Sequence, residues 1–250
     1  MILHYDGSVT GFFCLLGTAI KERLEIANVI RRGETTTADL FHQERQIETD
    51  SSWAAKVAAG LERALGGKFM TLLAQALLSE LDGIELDLLT LTRRALHEGG
   101  KISSNLADPL VSWVQSAVLR SSREHHRLLG LLRFTQLADD SYLARIASRT
   151  NVIPLIGSHF AKRLGAQRWL IVDVKRKNGV LGEKSHWQVV EQIEISSDLL
   201  QHANEAHIAN LWRSFYQSIN NPQRYNPKLR QQFMPKHYWR YLTELQENPQ

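Results

Sequence analysis

Leu131-Leu132-Arg133-Phe134-Thr135-Gln136-Leu137 and Tyr142-Leu143-Ala144-Arg145-Ile146 flank Ala138-Asp139-Asp140-Ser141, and this stretch decides how the rest of the chain is read. Two short apolar runs around an Asp- and Ser-rich tetrapeptide predict a β-hairpin. A helix is predicted next, at about 153–164, and a second hairpin after it. Its strands are Arg168-Trp169-Leu170-Ile171-Val172-Asp173-Val174-Lys175 and His186-Trp187-Gln188-Val189-Val190-Glu191, joined by a basic, Gly-containing loop. The order ββαββ predicts an antiparallel sheet with one helix over residues 131–192.

Toward the N-terminus the period becomes helical. Residues 1–7 read as a short strand closed by the turn pair Asp6-Gly7, and Phe12, Phe13, Leu15, Leu16, Ala19 and Ile20 then recur at helical spacing to about Leu24. Residues 26–50 read as short extended pieces and a polar loop. Asp50-Ser51-Ser52 offers N-caps for a helix through Leu65, which Gly66-Gly67 stops. Further helices are predicted at about 68–80, 83–98 and 107–129. Beyond the sheet, a helix at about 198–220 leads through Asn221-Pro222 and Asn226-Pro227 to a terminal helix near 235–245. The sum is one α+β domain over 1–250, with helical subregion 1–130, sheet subregion 131–192 and a basic-aromatic helical subregion 193–250.

The composition is that of a globular chain: 43% of the 250 residues are apolar and 22% charged, which excludes collagen-like and low-complexity classes. Cys14 is the only cysteine, so a disulfide framework, a multi-cysteine zinc site and an iron–sulfur cluster held within the chain are all excluded. No apolar run reaches membrane-spanning length, and the start Met1-Ile2-Leu3-His4-Tyr5-Asp6 lacks a secretory n-region, so a cytoplasmic protein is expected, with no membrane partner. Charge is unevenly placed. Residues 1–119 carry 11 basic and 15 acidic side chains, and residues 120–250 carry 19 and 11. A basic half suits a polyanion, since each neutralised phosphate releases counterions, and it equally suits a solvated surface.

Signatures of several chemistries are missing. The chain has no HExxH, no Walker-type GxxxxGK[ST], no GxGxxG and no GxSxG, and its ten histidines show no metal-ligand spacing, so no metal and no cofactor are expected. Candidate residues therefore come from polar groups in unusual places. On the 107–129 helix, Val111, Val114, Val118, His125 and Leu129 form the apolar stripe, which leaves His126 on the polar side with Ser122, Arg123 and Gly130. Glu124 can pair with Arg120 or Arg127 at helical spacing, or move a proton. Arg133 lies among apolar neighbours, where a guanidinium takes a carboxylate or a phosphate. Asp173 sits in the most apolar strand, and a buried carboxylate needs either an ion-pair partner or a shifted pKa. If Gly130 ends the helix and the strand after it pairs near 168–175, then Glu124, His126, Arg133 and Asp173 share one pocket. In the C-terminal segment, Arg224, Arg230, Lys236, Tyr238 and Trp239 interleave cations with aromatics, a mixture suited to phosphates and unstacked bases.

Several of these pieces together resemble a bacterial family of DNA-metabolism or DNA-repair proteins built on a domain of unknown function. The matching residues run the length of the chain: Tyr5-Asp6-Gly7 with Phe12, Ile47-Glu48-Thr49-Asp50, and Glu124, His126-Arg127, Gly130 and Arg133-Phe134. They continue with His159-Phe160-Ala161 and Arg163, then Trp169, Ile171 and Asp173, and finally Asn226-Pro227 leading to Met234-Pro235-Lys236 with Tyr238-Trp239. Where relatives carry Arg-Arg-Gly and a Tyr-rich hairpin, this chain has Lys175-Arg176-Lys177-Asn178-Gly179. Some relatives are fused to a uracil-DNA-glycosylase-like domain, and the family tends to be encoded beside a radical-SAM DNA-repair-like protein. The resemblance implies a companion component that binds single- or double-stranded DNA and works with a radical-SAM partner. Glu124, His126 and Asp173 would then be catalytic residues of a nucleobase-processing site, and Arg127, Arg133, Arg163, Arg224, Arg230, Lys236, Tyr238 and Trp239 would contact the nucleic acid. A non-catalytic adaptor and a protein-interaction scaffold are the alternatives.

Overall fold

The computed structural model describes residues 1–33, 42–193, 205–219 and 226–246, in two compact units, Met1–Ser122 and Arg123–Gln250. It is an α+β fold with N-terminal helices, a five-stranded mixed sheet in the middle and C-terminal helices.

In the first unit, β1 (Ile2–Tyr5) is the centre of a small parallel sheet, with β2 (Asn28–Arg31) on one side and β3 (Glu44–Gln46) on the other. Helix α1 (Val9–Lys21) follows at once because Ser8 caps it, accepting from the Gly11 amide at 2.9 Å. Asp6 accepts from the Ser8 amide and hydroxyl and from the Thr49 hydroxyl, and Gly7 supplies the left-handed φ of +83° that the turn requires. Asp50 caps α2 (Ser51–Leu65) through the Ser52 and Trp53 amides, as its position in the sequence predicts. Helices α3 (Gly67–Leu77) and α4 (Ile84–Glu98) complete a core around Leu15, Leu16, Leu73, Leu88 and Leu91. This unit also holds a buried polar group: Glu85 accepts from the Tyr5 hydroxyl at 2.7 Å and pairs with Arg31 through the same oxygen. Burial first, and then the Glu85 charge, push the Tyr5 phenol far above its ordinary pKa.

Helix α5 (Pro109–Leu131) starts where Asp108 accepts from the Leu110 and Val111 amides. Its buried positions are Val111, Val114, Ala117, Ser121, Glu124 and Leu128, so the inward face is turned by one residue from the predicted stripe, and Glu124 replaces His125 on it. Gly130 does not end the helix. Its φ is not left-handed, and the Leu132 amide continues the ladder to the Leu128 carbonyl.

The sheet of the second unit has strand order β4-β5-β6-β7-β8, formed by Phe134–Gln136, Tyr142–Ile146, Trp169–Asp173, Asn178–Glu183 and His186–Val190. It is mixed rather than antiparallel, because β5 and β6 run parallel with Ile146 beside Asp173. The reason is α6 (Ile153–Leu164), which acts as the crossover that parallel neighbours need. The predicted basic loop also contains a strand of its own, β7. It is bounded by a turn ending at Lys177 and a two-residue turn at Lys184-Ser185, all three in left-handed φ without a glycine to announce them. Phe160, Trp169, Ile171 and Val180 form the core with Leu128, Tyr238 and Leu242. Two glycines admit indole rings: a Cβ at Gly182 would overlap Trp169, and one at Gly157 would overlap Trp187. Helix α7 (Glu205–Ile219) is the described part of the helix predicted at 198–220, and α8 (Pro227–Phe233) follows Asn226, which caps it. The terminal helix predicted near 235–245 is instead two 3-10 turns, Lys236–Tyr241 and Thr243–Leu245. Short turns let Tyr238 and Leu242 both reach the core, following its surface where a longer straight helix would leave it.

Glycine replacements separate the two kinds of site. Gly182→Ala places a methyl against the fully buried Trp169 and should cost about 1–3 kcal/mol by overpacking. Gly60→Ala, in α2 with nothing near its Cβ position, should stabilise by about 0.5–1 kcal/mol. Urea unfolding of both variants gives the comparison.

Candidate functional site

Glu124 is the singular residue of α5, a carboxylate on the buried face with 4% of its surface accessible. One oxygen accepts from the Arg149 amide at 2.9 Å and lies 3.8 Å from Nε2 of His237, beyond hydrogen-bonding range. The Tyr238 hydroxyl faces the same carboxylate without closing a hydrogen bond of good geometry, and both ring nitrogens of His237 are likewise buried and unbonded among the described residues. Burial holds the His237 imidazole below its ordinary pKa; Glu124 opposes this, and the Arg149 and Arg127 charges add to it, so the ring is neutral at pH 7. Tyr238 is pushed far up by burial and by Glu124, so its hydroxyl keeps its proton. The arrangement is an under-satisfied carboxylate facing a phenol and a neutral imidazole, with two guanidiniums close enough to act on both.

Asp173 is satisfied. It is fully buried and takes three donors: Nη1 of Arg176 at 2.5 Å, the Lys175 amide at 3.0 Å and the Ser148 hydroxyl, 2.8 Å away. The Ser148 oxygen also lies 2.6 Å from the Thr150 carbonyl, so its single proton serves one of the two acceptors at a time. Ser148 and Arg149 thus serve different carboxylates from one loop, the side chain of the first reaching Asp173 and the amide of the second reaching Glu124. Arg133 is also satisfied, by Glu244 at 2.6 and 3.2 Å, and its guanidinium stacks over Trp212, whose indole N–H donates to the same carboxylate. Burial, the largest single influence, raises the Glu244 pKa, but the hydrogen bonds from Arg133, the backbone and Trp212, together with the Arg133 charge, outweigh it and the carboxyl ends below its ordinary value.

The predicted residues therefore occupy three groups. β5 lies between β4 and β6, so Arg133 and Asp173 are separated by about two strand spacings of ~4.8 Å and pair with different partners. His126, predicted beside Glu124, is exposed. Arg163 and Lys236 are exposed, and neither they nor Arg127 make an ion pair or hydrogen bond among the described residues. Arg230 stacks over Trp239, whose indole N–H donates to the Met234 carbonyl at 2.7 Å. Arg224 lies outside the described residues. Sequence reasoning does not find Arg149, Ser148, Arg176, His237 or Glu244. Only the Asp173-to-Arg176 spacing of three residues offers a local signal, and His237 stands next to two predicted residues. Among the described residues no cluster of three or more His, Cys, Asp or Glu is placed to hold a metal ion, and no helix is long and apolar enough to cross a membrane.

Asp173→Ala leaves the Arg176 guanidinium, only 11% accessible, without its carboxylate and should destabilise by about 3–5 kcal/mol in urea unfolding. Acid unfolding tests Glu244. Because its folded pKa lies below the unfolded value of 4.5, its contribution is full above that pH and is lost as pH falls through the folded value. Glu244→Gln should therefore be less stable than the native chain at pH 7, with the difference shrinking in acid below about pH 4.

No curated protein and no solved structure matches the chain. A family model does, across residues 82–244, from the end of the first unit through nearly all of the second, including Glu124, Asp173 and the His237-Tyr238 pair. That span is well over half of the sequence, and the chain belongs to the family described as Domain of unknown function (DUF4130).

Proposed function

We propose that the unit Arg123–Gln250 binds DNA and acts in DNA metabolism or repair, with Glu124, His237 and Tyr238 as the centre of a nucleobase-processing site. The observation that carries this is a pair of guanidiniums that make no ion pair among the described residues, beside an incompletely satisfied buried acid. Arg127 and Arg149 both act on His237 and Tyr238, yet neither pairs with a carboxylate among the described residues. Cations left unpaired beside a polar cluster suit phosphates, whereas Arg133 and Arg176 are consumed by Glu244 and Asp173. The whole unit carries 18 Lys and Arg against 11 Asp and Glu, and the Arg230–Trp239 stack supplies an aromatic surface beside it. His126 and Asp173, expected as catalytic from sequence, enter as an exposed neighbour and a structural brace. The resemblance adds a radical-SAM protein as partner, since one cysteine leaves the cluster chemistry to another chain.

A scaffold role has one specific observation in its favour. Helix α7 turns Ile208, Leu211 and Phe215 outward, each about half exposed. Fluorescence anisotropy decides between the two. Single- and double-stranded oligonucleotides should bind with an affinity that falls steeply between about 50 and 200 mM salt. Replacing Arg127, Arg149 and Lys236 with Ala should lower affinity and reduce the salt slope by about one unit for each phosphate no longer neutralised. Absence of binding to either oligonucleotide at low salt refutes the DNA reading and leaves the scaffold.

A further inference from the structure

We propose that the Glu124–Tyr238 site reads guanine, in preference to the other bases, through its Watson–Crick edge. The inference rests on the nucleic-acid reading above and names the base. Its ground is the hydrogen-bond capacity left over at the site. A carboxylate has about four lone-pair positions, and Glu124 uses one of them in a good hydrogen bond, to the Arg149 amide. Buried polar groups are seldom left in this state, and here the acceptor capacity stands beside a second unmatched group, the hydroxyl of Tyr238, a residue only 2% accessible.

The unmatched atoms have a chemical complement. Two neighbouring carboxylate oxygens suit two neighbouring N–H donors, and among the four DNA bases only guanine carries two side by side on that edge, N1–H and the N2 amino group. Adenine and cytosine each set one amino donor next to a ring-nitrogen acceptor, which would face Glu124 with like polarity. Thymine sets its single N–H between two carbonyls. Guanine's O6 follows N1–H along the same edge and suits a hydroxyl donor, which Tyr238 remains because its proton is held far above neutral pH. Arg127 and Arg149, whose charges act on both Tyr238 and His237, would supply the countercharge for the phosphate of the same nucleotide.

Entry is past His237. Its side chain is 24% accessible, against 5% for that of Glu124, and no hydrogen bond among the described residues holds the ring in place. The His237 ring packs against that of Tyr238, 3.9 Å between centroids, so entry requires a rotamer change that lifts His237 off Tyr238, which itself stays packed with Leu242 in the core.

Calorimetric titration of the full chain with GMP, IMP, AMP, CMP and UMP tests the proposal. GMP should bind tightest. IMP, which lacks only the N2 amino group, should bind roughly tenfold or more weakly, the loss of one hydrogen bond to a charged acceptor. Glu124→Gln keeps an acceptor for the Arg149 amide but sets an amide donor against the base, and should abolish the preference for GMP over AMP. Tyr238→Phe should weaken GMP and IMP alike, because both carry O6. Equal affinity for GMP and AMP in the native chain overturns the proposal, whatever the variants do. The two readings fail separately: salt-sensitive binding of oligonucleotides with and without guanine to the same degree would remove guanine recognition and keep DNA binding. GMP discrimination without oligonucleotide binding would do the reverse.

Discussion

Asp173, with no accessible surface, is matched by three donors, and that network sets the terms for the second unit. Its three donors come from the backbone just past its own strand, from the turn that follows and from the loop after β5. Each closes a different piece of backbone: Arg176 ties the turn before β7, and Ser148 ties the loop that leads into α6. The next amide along, that of Arg149, reaches Glu124 on α5. The support of Glu124 therefore runs through Asp173, although the two carboxylates share no partner. Breaking a buried pair costs about 3–5 kcal/mol against a total stability of about 5–15, so a single carboxylate carries a large part of the unit's margin.

The same hydrogen-bond accounting separates structure from candidate chemistry. Asp173 and Arg133 are both conspicuous in sequence because they are charges in apolar runs, and both are fully answered within the fold. Glu124 is less conspicuous, since Arg120 and Arg127 stand at helical spacing to neutralise it. Neither pairs with it among the described residues. The residue that looks most like an ordinary surface acid is the one whose bonding remains open, and it is the openness, rather than the charge, that distinguishes it.

What is legible in the sequence follows the range of the forces involved. The Asp50 cap, most strand positions and most helices depend on neighbours within a few residues, and local patterns predict them to within a few positions, whereas the caps at Ser8 and Asn226 emerge only in the structure. The parallel pairing of β5 and β6 depends on where a twelve-residue helix returns the chain, which alternation along either strand cannot reveal. On α5 a phase difference of one residue, about 100° of rotation, is enough to exchange Glu124 for His125. The meeting of Glu124 with His237 joins residues more than a hundred positions apart, and no spacing rule spans that distance. The turns at Lys177 and Lys184-Ser185 escape prediction for another reason: they use left-handed conformations on residues that rarely adopt them.

The indole of Trp187 resting on Gly157 bears on solubility. β8 is an edge among the described strands, and four of its five residues are exposed, a profile that invites a strand from another molecule. An edge strand recruits a neighbour most readily when it is flat and free to shift. Trp187 clasps α6 through a notch that only glycine leaves open, so sliding or peeling β8 would first have to extract a large aromatic ring. The missing side chain at Gly157 thus guards the chain against edge-to-edge association, and any residue larger than glycine there would weaken that guard before it touched the core.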